Sequence, residues 1–186
     1  MKIDDLIYGY INRSPSKPRK IGEYWASEVY YIVSGKMTPE SFFKRTPIDR
    51  MGSKYCSEGI SIEDYLTKVF KEMKVEVKCQ DYKQIEITDN IKLTVKPDYN
   101  FGTFLAELKR PARVQETIST QWLYQLECYY RGFYLPVYLW QVSYPITIKQ
   151  LDFTPSKARW DKIKSSLIEF DLKLKDYERT NSSKNQ

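Results

Sequence analysis

The stretch KPDYNFGTFLAELKRP, residues 96–111, decides how the rest of this chain is read. Asp98 follows Ile91, Leu93 and Val95, whose two-residue period is that of a half-buried strand. A loop at residues 100–102 leads into a second strand at 104–108. Glu107 and Lys109 are two apart, so both face one side of that strand, while Ala106 and Leu108 face the other, towards a core. If the two strands pair, Asp98 converges with Glu107 and Lys109. Two carboxylates offer hard oxygen ligands for Mg²⁺ or Mn²⁺. A metal so held polarises a phosphate and acidifies a bound water, and the ammonium orients that water or stabilises charge on phosphorus. The plainer alternative is a surface strand with an Asp at a turn and a Glu/Lys ladder.

Upstream, Ile62, Tyr65, Leu66, Val69, Phe70 and Met73 make an apolar stripe, and residues 61–73 read as a helix with Ser61 as N-cap. Gly59-Ile-Ser-Ile-Glu63 opens it. Glu63 sits in the first turn, where an acid complements the helix dipole, and Glu58 competes with it as the acidic residue turned to the site. Val75, Val77 and Cys79, then Ile85 and Ile87, alternate as strands, with Asp89-Asn90 as a turn. Downstream, residues 116–131 read as a helix stopping near Gly132, with Gln125 and Tyr129 one turn apart on the stripe of Ile118 and Trp122. Strands follow at 134–142 and 146–153. Thr154-Pro155 then starts a last helix carrying Trp160, Ile163, Leu167, Phe170 and Leu174 on one face.

At the N-terminal end a short helix and a basic loop, NRSPSKPRK at 12–20, precede a helix from Ile21 with Tyr24, Trp25, Val29, Ile32 and Val33 at helical spacing. Thr38-Pro39-Glu40 resembles a cap, a proline at the first helical position and an acidic first turn. The end, RTNSSKNQ from Arg179, reads as a polar, disordered tail. The order predicts an α/β (α+β) fold, one mixed sheet flanked by helices with extra helices at the N-terminus.

The 186 residues suit one domain, and a net charge of +6 with pI near 9.0 suits either a polyanionic partner or a plain basic protein. The absence of histidine excludes His-dependent triads, two-histidine zinc sites and imidazole acid–base catalysis. Cys56, Cys79 and Cys128 are scattered and odd in number, which argues for reduced thiols in a cytoplasmic, intracellular setting. No long apolar run or signal peptide argues for membrane insertion or secretion. Aromatic residues, 15% of the chain, could fill a core or stack on bases.

Taken together, a helix with GxxxE, a strand ending in Pro97-Asp98, the Glu107-Leu108-Lys109 strand and the Gln125–Tyr129 helix resemble the PD-(D/E)xK nuclease superfamily. The pattern is similar to RecB-type exonucleases and to the iron–sulfur nucleases that accompany CRISPR adaptation, and covers residues 59–132 well. The resemblance implies a restriction-endonuclease-like core at 59–153 within one domain of residues 1–178. It implies that Asp98, Glu107 and the Leu108 carbonyl ligate Mg²⁺ or Mn²⁺, that Glu63 completes the acidic site, and that Lys109 positions or activates the water. Gln125 and Tyr129 would support the site and contact DNA. The chain departs from those relatives in two ways: Glu63 stands where they usually carry histidine, and no cysteine follows Cys128, so no iron–sulfur cluster is expected. The implied protein is a cluster-free deoxyribonuclease of viral or mobile-element type, in the host cytoplasm if viral, acting as an exonuclease on single-stranded or end-containing DNA. A structure-specific endonuclease, a non-catalytic DNA-binding or assembly protein on the same fold, and a homo-oligomer remain open alternatives.

Overall fold

A computed structural model describes residues 19–44, 50–143 and 147–182, with backbone alone at 50–53 and 55. In chain order the elements are β1 (Glu23–Trp25), a 3-10 turn (Ala26–Glu28), α1 (Val29–Val33), α2 (Pro39–Phe43), α3 (Arg50–Glu72), β2 (Lys78–Cys79), β3 (Lys83–Thr88) and β4 (Ile91–Val95). They continue with β5 (Tyr99–Asn100), β6 (Leu105–Lys109), α4 (Thr120–Phe133), β7 (Val137–Ser143), β8 (Thr147–Asp152) and α5 (Lys157–Ser182). The α/β class expected from the sequence is what forms. No described helix is long and apolar enough to cross a membrane.

The strands form two sheets where a single one is expected: β1-β4-β3 and β2-β5-β6-β7-β8. One antiparallel hairpin, β2–β3 against β4–β5, nevertheless runs through both. Cys79 faces Tyr99 in the larger sheet and Lys83 faces Val95 in the smaller one, with no residue gained or lost between. The ladder opens only at residues 80–82 and 96–98, where the Gln80 N–H still donates to the Asp98 carbonyl at 3.0 Å. Pro97 cannot donate to a ladder, and Gln80 adopts φ +56, in the left-handed region. The break therefore falls on Asp98, which stands at the seam.

Alternation along β6 sorts its side chains. Leu105 faces the main core with Leu126, Leu139 and Ile163, and Glu107 continues that face under α4. Ala106 and Leu108 face a second core with Leu66, Tyr99 and Val142, backed by α3. Glu107 and Lys109 thus share a face, as read from the sequence. Helix α4 lies close on the smaller sheet: a Cβ at Gly132 would stand 2.5 Å from Val95 Cγ2. The Thr38 cap forms as expected, its side chain and that of Ser41 bonding reciprocally.

Several boundaries move. Tyr24 and Trp25 lie in β1, paired in parallel with β4, and not in a helix. The spacing of residues 24–33 suits a helix, but pairing with β4 overrides it. Helix α3 begins at Arg50, so Ser61 is interior and its hydroxyl donates to the Ser57 carbonyl at 3.0 Å. The expected stripe on α3 is only partly covered, with Tyr65 and Met73 exposed. Helix α4 starts at Thr120 behind a Ser119 N-cap and ends at Phe133, near Gly132 as expected, although the left-handed cap at φ 56 is Tyr134 and not the glycine. Helix α5 runs to Ser182, past the expected start of a tail at Arg179. The expected N-terminal helix and most of the basic loop lie outside the described residues.

Candidate active site

Glu107 is 3% exposed on β6, a strand whose other residues are apolar but for Lys109. Its Oε1 accepts from Lys109 Nζ at 2.6 Å and from Gln125 Nε2 at 2.8 Å. The Gln125 amide nitrogen also donates to the Tyr129 hydroxyl at 2.6 Å, so the one-turn spacing on α4 makes a single hydrogen-bonded unit. Glu107 Oε2 is buried and has no hydrogen-bond partner. An unsatisfied buried carboxylate oxygen costs about 1–3 kcal/mol or more, and such an atom calls for a partner.

Asp98 is pinned from three sides. Its Oδ2 accepts the Leu108 N–H at 2.7 Å, its Oδ1 meets Gln80 Nε2 at 3.4 Å, and its carbonyl accepts the Gln80 N–H at 3.0 Å. The same Gln80 amide donates to Glu63 Oε1. Helix α3 is held against the sheet by the Tyr99 hydroxyl, which donates to the Glu63 carbonyl at 3.0 Å. Glu58 turns elsewhere, to Arg110 Nε at 3.5 Å, so of the two helix carboxylates Glu63 is the one at the site.

The electrostatics follow from this crowding. Burial pushes Asp98 up to about 8, helped by the charges of Glu107 and Glu63 and opposed by the Leu108 N–H. Burial also raises Glu63, against the Gln80 hydrogen bond and with the charge of Glu107. For Lys109 burial acts downwards, but Glu107 and Asp98 outweigh it and hold the ammonium above its ordinary value. Tyr129 is held well above the phenol range by burial and by the charges of Glu107 and Asp98. Lys109 is thus a fixed cation beside a group of carboxyls that burial pushes towards their protonated forms.

These residues fit a hard divalent cation. Glu107 Oε2 has a free lone pair, and a cation would offset both the burial and the added repulsion from Glu107 that lift Asp98. Among the described residues no group of three or more Asp, Glu or Cys side chains gathers closely enough to hold an ion. Glu63 is therefore near Asp98, bridged to it by an amide, without closing a three-carboxylate cluster.

Sequence reasoning does not find Gln80, Arg110 or Gln141. Gln141, fully buried on β7 opposite Lys109, accepts from the Gln115 N–H at 2.7 Å and donates to its carbonyl at 3.2 Å. It ties down the loop that follows β6. The signal for Gln80 is the break in alternation between Cys79 and Ile85, where Asp81 and Lys83 stand in place of apolar residues.

No family model and no curated protein matches the chain. Solved structures do. The alkaline exonuclease LHK-Exo from Laribacter hongkongensis has a TM-score of 0.65 at 13% identity, covering 98% of this chain and 100% of that one. The same exonuclease in complex with dAMP gives 0.63 at 13% identity, over 89% of this chain and 96% of that one. A phage-related exonuclease from Haemophilus somnus 129PT gives 0.56 at 11% identity, over 96% and 99%. The chain has the fold of these exonucleases, which is the PD-(D/E)xK-type fold expected from the sequence.

Proposed function

We propose that the chain is a divalent-metal-dependent DNA nuclease, and that it acts as an exonuclease on single-stranded or end-containing DNA. The observation that carries this reading is Glu107 Oε2, buried and unbonded in a cluster with Asp98 and the Lys109 ammonium. The exonuclease fold supports the choice of chemistry, and the complex of a neighbour with dAMP supports nucleic acid as the partner.

Asp98 and Glu107, with the Leu108 carbonyl, would hold Mg²⁺ or Mn²⁺, and Glu63 would complete the acidic site. The bound metal would polarise the scissile phosphate and acidify a water. The chain's own groups do the rest. The Leu108 N–H fixes Asp98 Oδ2, and the Gln125 amide fixes Glu107 Oε1 so that Oε2 stays available. Lys109, already protonated, donates: it orients the attacking water and stabilises charge growing on the phosphoryl oxygens, and it is not the base that takes the proton. Tyr129 braces Gln125. Without a metal and above about pH 8, where Asp98 ionises, two carboxylates facing a phosphate would repel it, which weighs against a purely DNA-binding role.

The test is digestion of end-labelled single-stranded, duplex and branched DNA with Mg²⁺, Mn²⁺ or EDTA, by wild type and Asp98→Ala. Wild type is expected to release nucleotides from ends with metal only, and Asp98→Ala to be inactive. Equal digestion by both would sink the assigned site. Binding without cleavage on any substrate would make the chain a DNA-binding protein, and internal cuts at branches a structure-specific endonuclease.

A further inference from the structure

Gln80 is the residue at which the long hairpin breaks, and it is neutral in a place where a cationic side chain would answer the charge around it. Its backbone takes φ +56, a conformation that few residues other than glycine and asparagine adopt. That turn keeps its N–H on the Asp98 carbonyl while the side chain reaches both Glu63 Oε1 and Asp98 Oδ1 through one nitrogen. Burial lifts both carboxylates; Lys96 acts on Glu63 and Lys109 on Asp98 through space, but it is the Gln80 amide that hydrogen-bonds both. A lysine or arginine there would neutralise the pair and compete with a metal for it. An amide does something different, because it has two ends. The NH₂ end satisfies carboxylates, and rotation about its last bond presents Oε1, a hard neutral oxygen of the kind that divalent cations take.

We propose that Gln80 belongs to the metal centre. It holds Glu63 and Asp98 at a common spacing through its NH₂, and turns its amide to offer Oε1, directly or through a water, when a divalent cation enters between them. This explains how a site without three clustered acidic side chains still reaches a workable set of oxygen donors: the missing donor is a neutral amide. The hairpin register, Cys79 opposite Tyr99 and Lys83 opposite Val95, sets residue 80 across from Asp98, and the left-handed turn at Gln80 falls at that contact. The inference rests on the metal-dependent reading above and adds a residue to that site.

The experiment measures Mn²⁺ binding by the full chain without DNA, by electron paramagnetic resonance, for wild type, Asp98→Ala, Gln80→Met and Gln80→Glu. Methionine keeps the length and removes both amide ends, and glutamate restores an oxygen. Wild type is expected to bind and Asp98→Ala to lose binding. Gln80→Met is expected to weaken the Mn²⁺ Kd by about 10–100-fold, the usual loss for a residue that orients or supplements metal ligands. Gln80→Glu is expected to recover wild-type affinity or better at pH 9, while melting lower than wild type without metal because a third carboxylate joins the cluster. In nuclear magnetic resonance the Gln80 side-chain NH₂ signal, identified by its loss in Gln80→Met, should shift on adding Mg²⁺. If wild type binds no Mn²⁺, the metal reading falls and this inference with it. If wild type binds through Asp98 and Gln80→Met binds as tightly, the inference alone is overturned. Gln80→Glu binding as weakly as Gln80→Met, or an NH₂ signal unmoved by Mg²⁺, overturns it in the same way.

Discussion

Two buried glutamates, Glu107 and Glu127, mark two regions with opposite solutions to one problem. Glu127 on α4 is fully buried, and both of its oxygens are answered. Oε1 accepts from Arg131 Nε at 2.9 Å, and Oε2 accepts from the Ser156 N–H and from Arg159 Nη1, each at 2.8 Å. Two guanidinium groups and a backbone amide thus surround one carboxylate, and they tie α4 to the start of α5. Glu107 is nearly as buried, yet Lys109 and Gln125 both crowd onto Oε1, and Oε2 has nothing. A buried charge with complete pairing is scaffold. A buried charge left half-paired beside further carboxyls and a lysine has the make-up of an open ligand position; Glu58 Oε2, also buried without a hydrogen bond, faces the Arg110 guanidinium instead.

That contrast can be broken most directly at Glu107. Glu107→Gln should lower DNA cleavage on the order of 10²–10³-fold or more while the melting temperature stays near that of wild type, because an amide oxygen can still accept from Lys109 and Gln125 and the altered Oε2 makes no hydrogen bond to lose. A large loss of stability instead would make Glu107 a scaffold residue like Glu127. The reciprocal variant, Glu127→Ala, should cost about 3 kcal/mol in urea unfolding, the low end for breaking a buried pair, since both arginines retain some exposure. Cleavage by the folded fraction should be nearly unchanged. If that fraction is inactive, the two regions are not independent.

Lys109→Ala should lower turnover by about 10²-fold and DNA affinity much less, as measured by single-turnover cleavage and by binding in Ca²⁺. Equal losses would reduce Lys109 to a phosphate contact. The smallest effect is a pH dependence confined to the Asp98 region. The Asp98 carboxyl, raised from an ordinary 3.8 to about 8, contributes stability that is fully present below its unfolded value and is lost as pH rises through about 8. Cation affinity should run the other way, rising by up to about tenfold per pH unit between pH 6 and 8 as binding displaces one proton. Asp98→Asn should abolish both slopes, and calorimetry of Mn²⁺ binding in two buffers of different ionisation heat would count the proton. An unchanged slope in that variant would move the titration to another residue.

Much of this site is legible in the sequence. The alternation Ile91, Leu93, Val95 places Asp98 after a strand, and Glu107 and Lys109 on β6 share a face because side chains alternate every residue. Gln125 and Tyr129 meet because residues four apart on a helix are neighbours. The last helix buries Ile163, Leu167, Phe170 and Leu174, as its spacing requires. Other parts were not readable, for equally local reasons. A three-residue strand such as β1 has no periodicity to show, and it exists because β4 offers a parallel edge. The start of α4 slips from Glu116 to Thr120, behind a loop whose Gln115 backbone is claimed by Gln141, 26 residues away. The split into two sheets turns on Gln80, whose type says nothing of a left-handed turn.

Backbone periodicity alone settles which side chains can act together. Strand and helix periods are fixed by backbone geometry, so the faces of Glu107 and Lys109, and of Gln125 and Tyr129, follow from their spacing alone, as does the place of Asp98 after its strand. The tertiary structure decided what each of those groups could do. It turned Glu63 rather than Glu58 to the site, set Gln80 between two carboxylates 17 and 18 residues from it, and left one oxygen of Glu107 without a partner. Faces are a local property of the chain, whereas the partner of a buried polar atom is whatever the fold brings to it from far along the sequence.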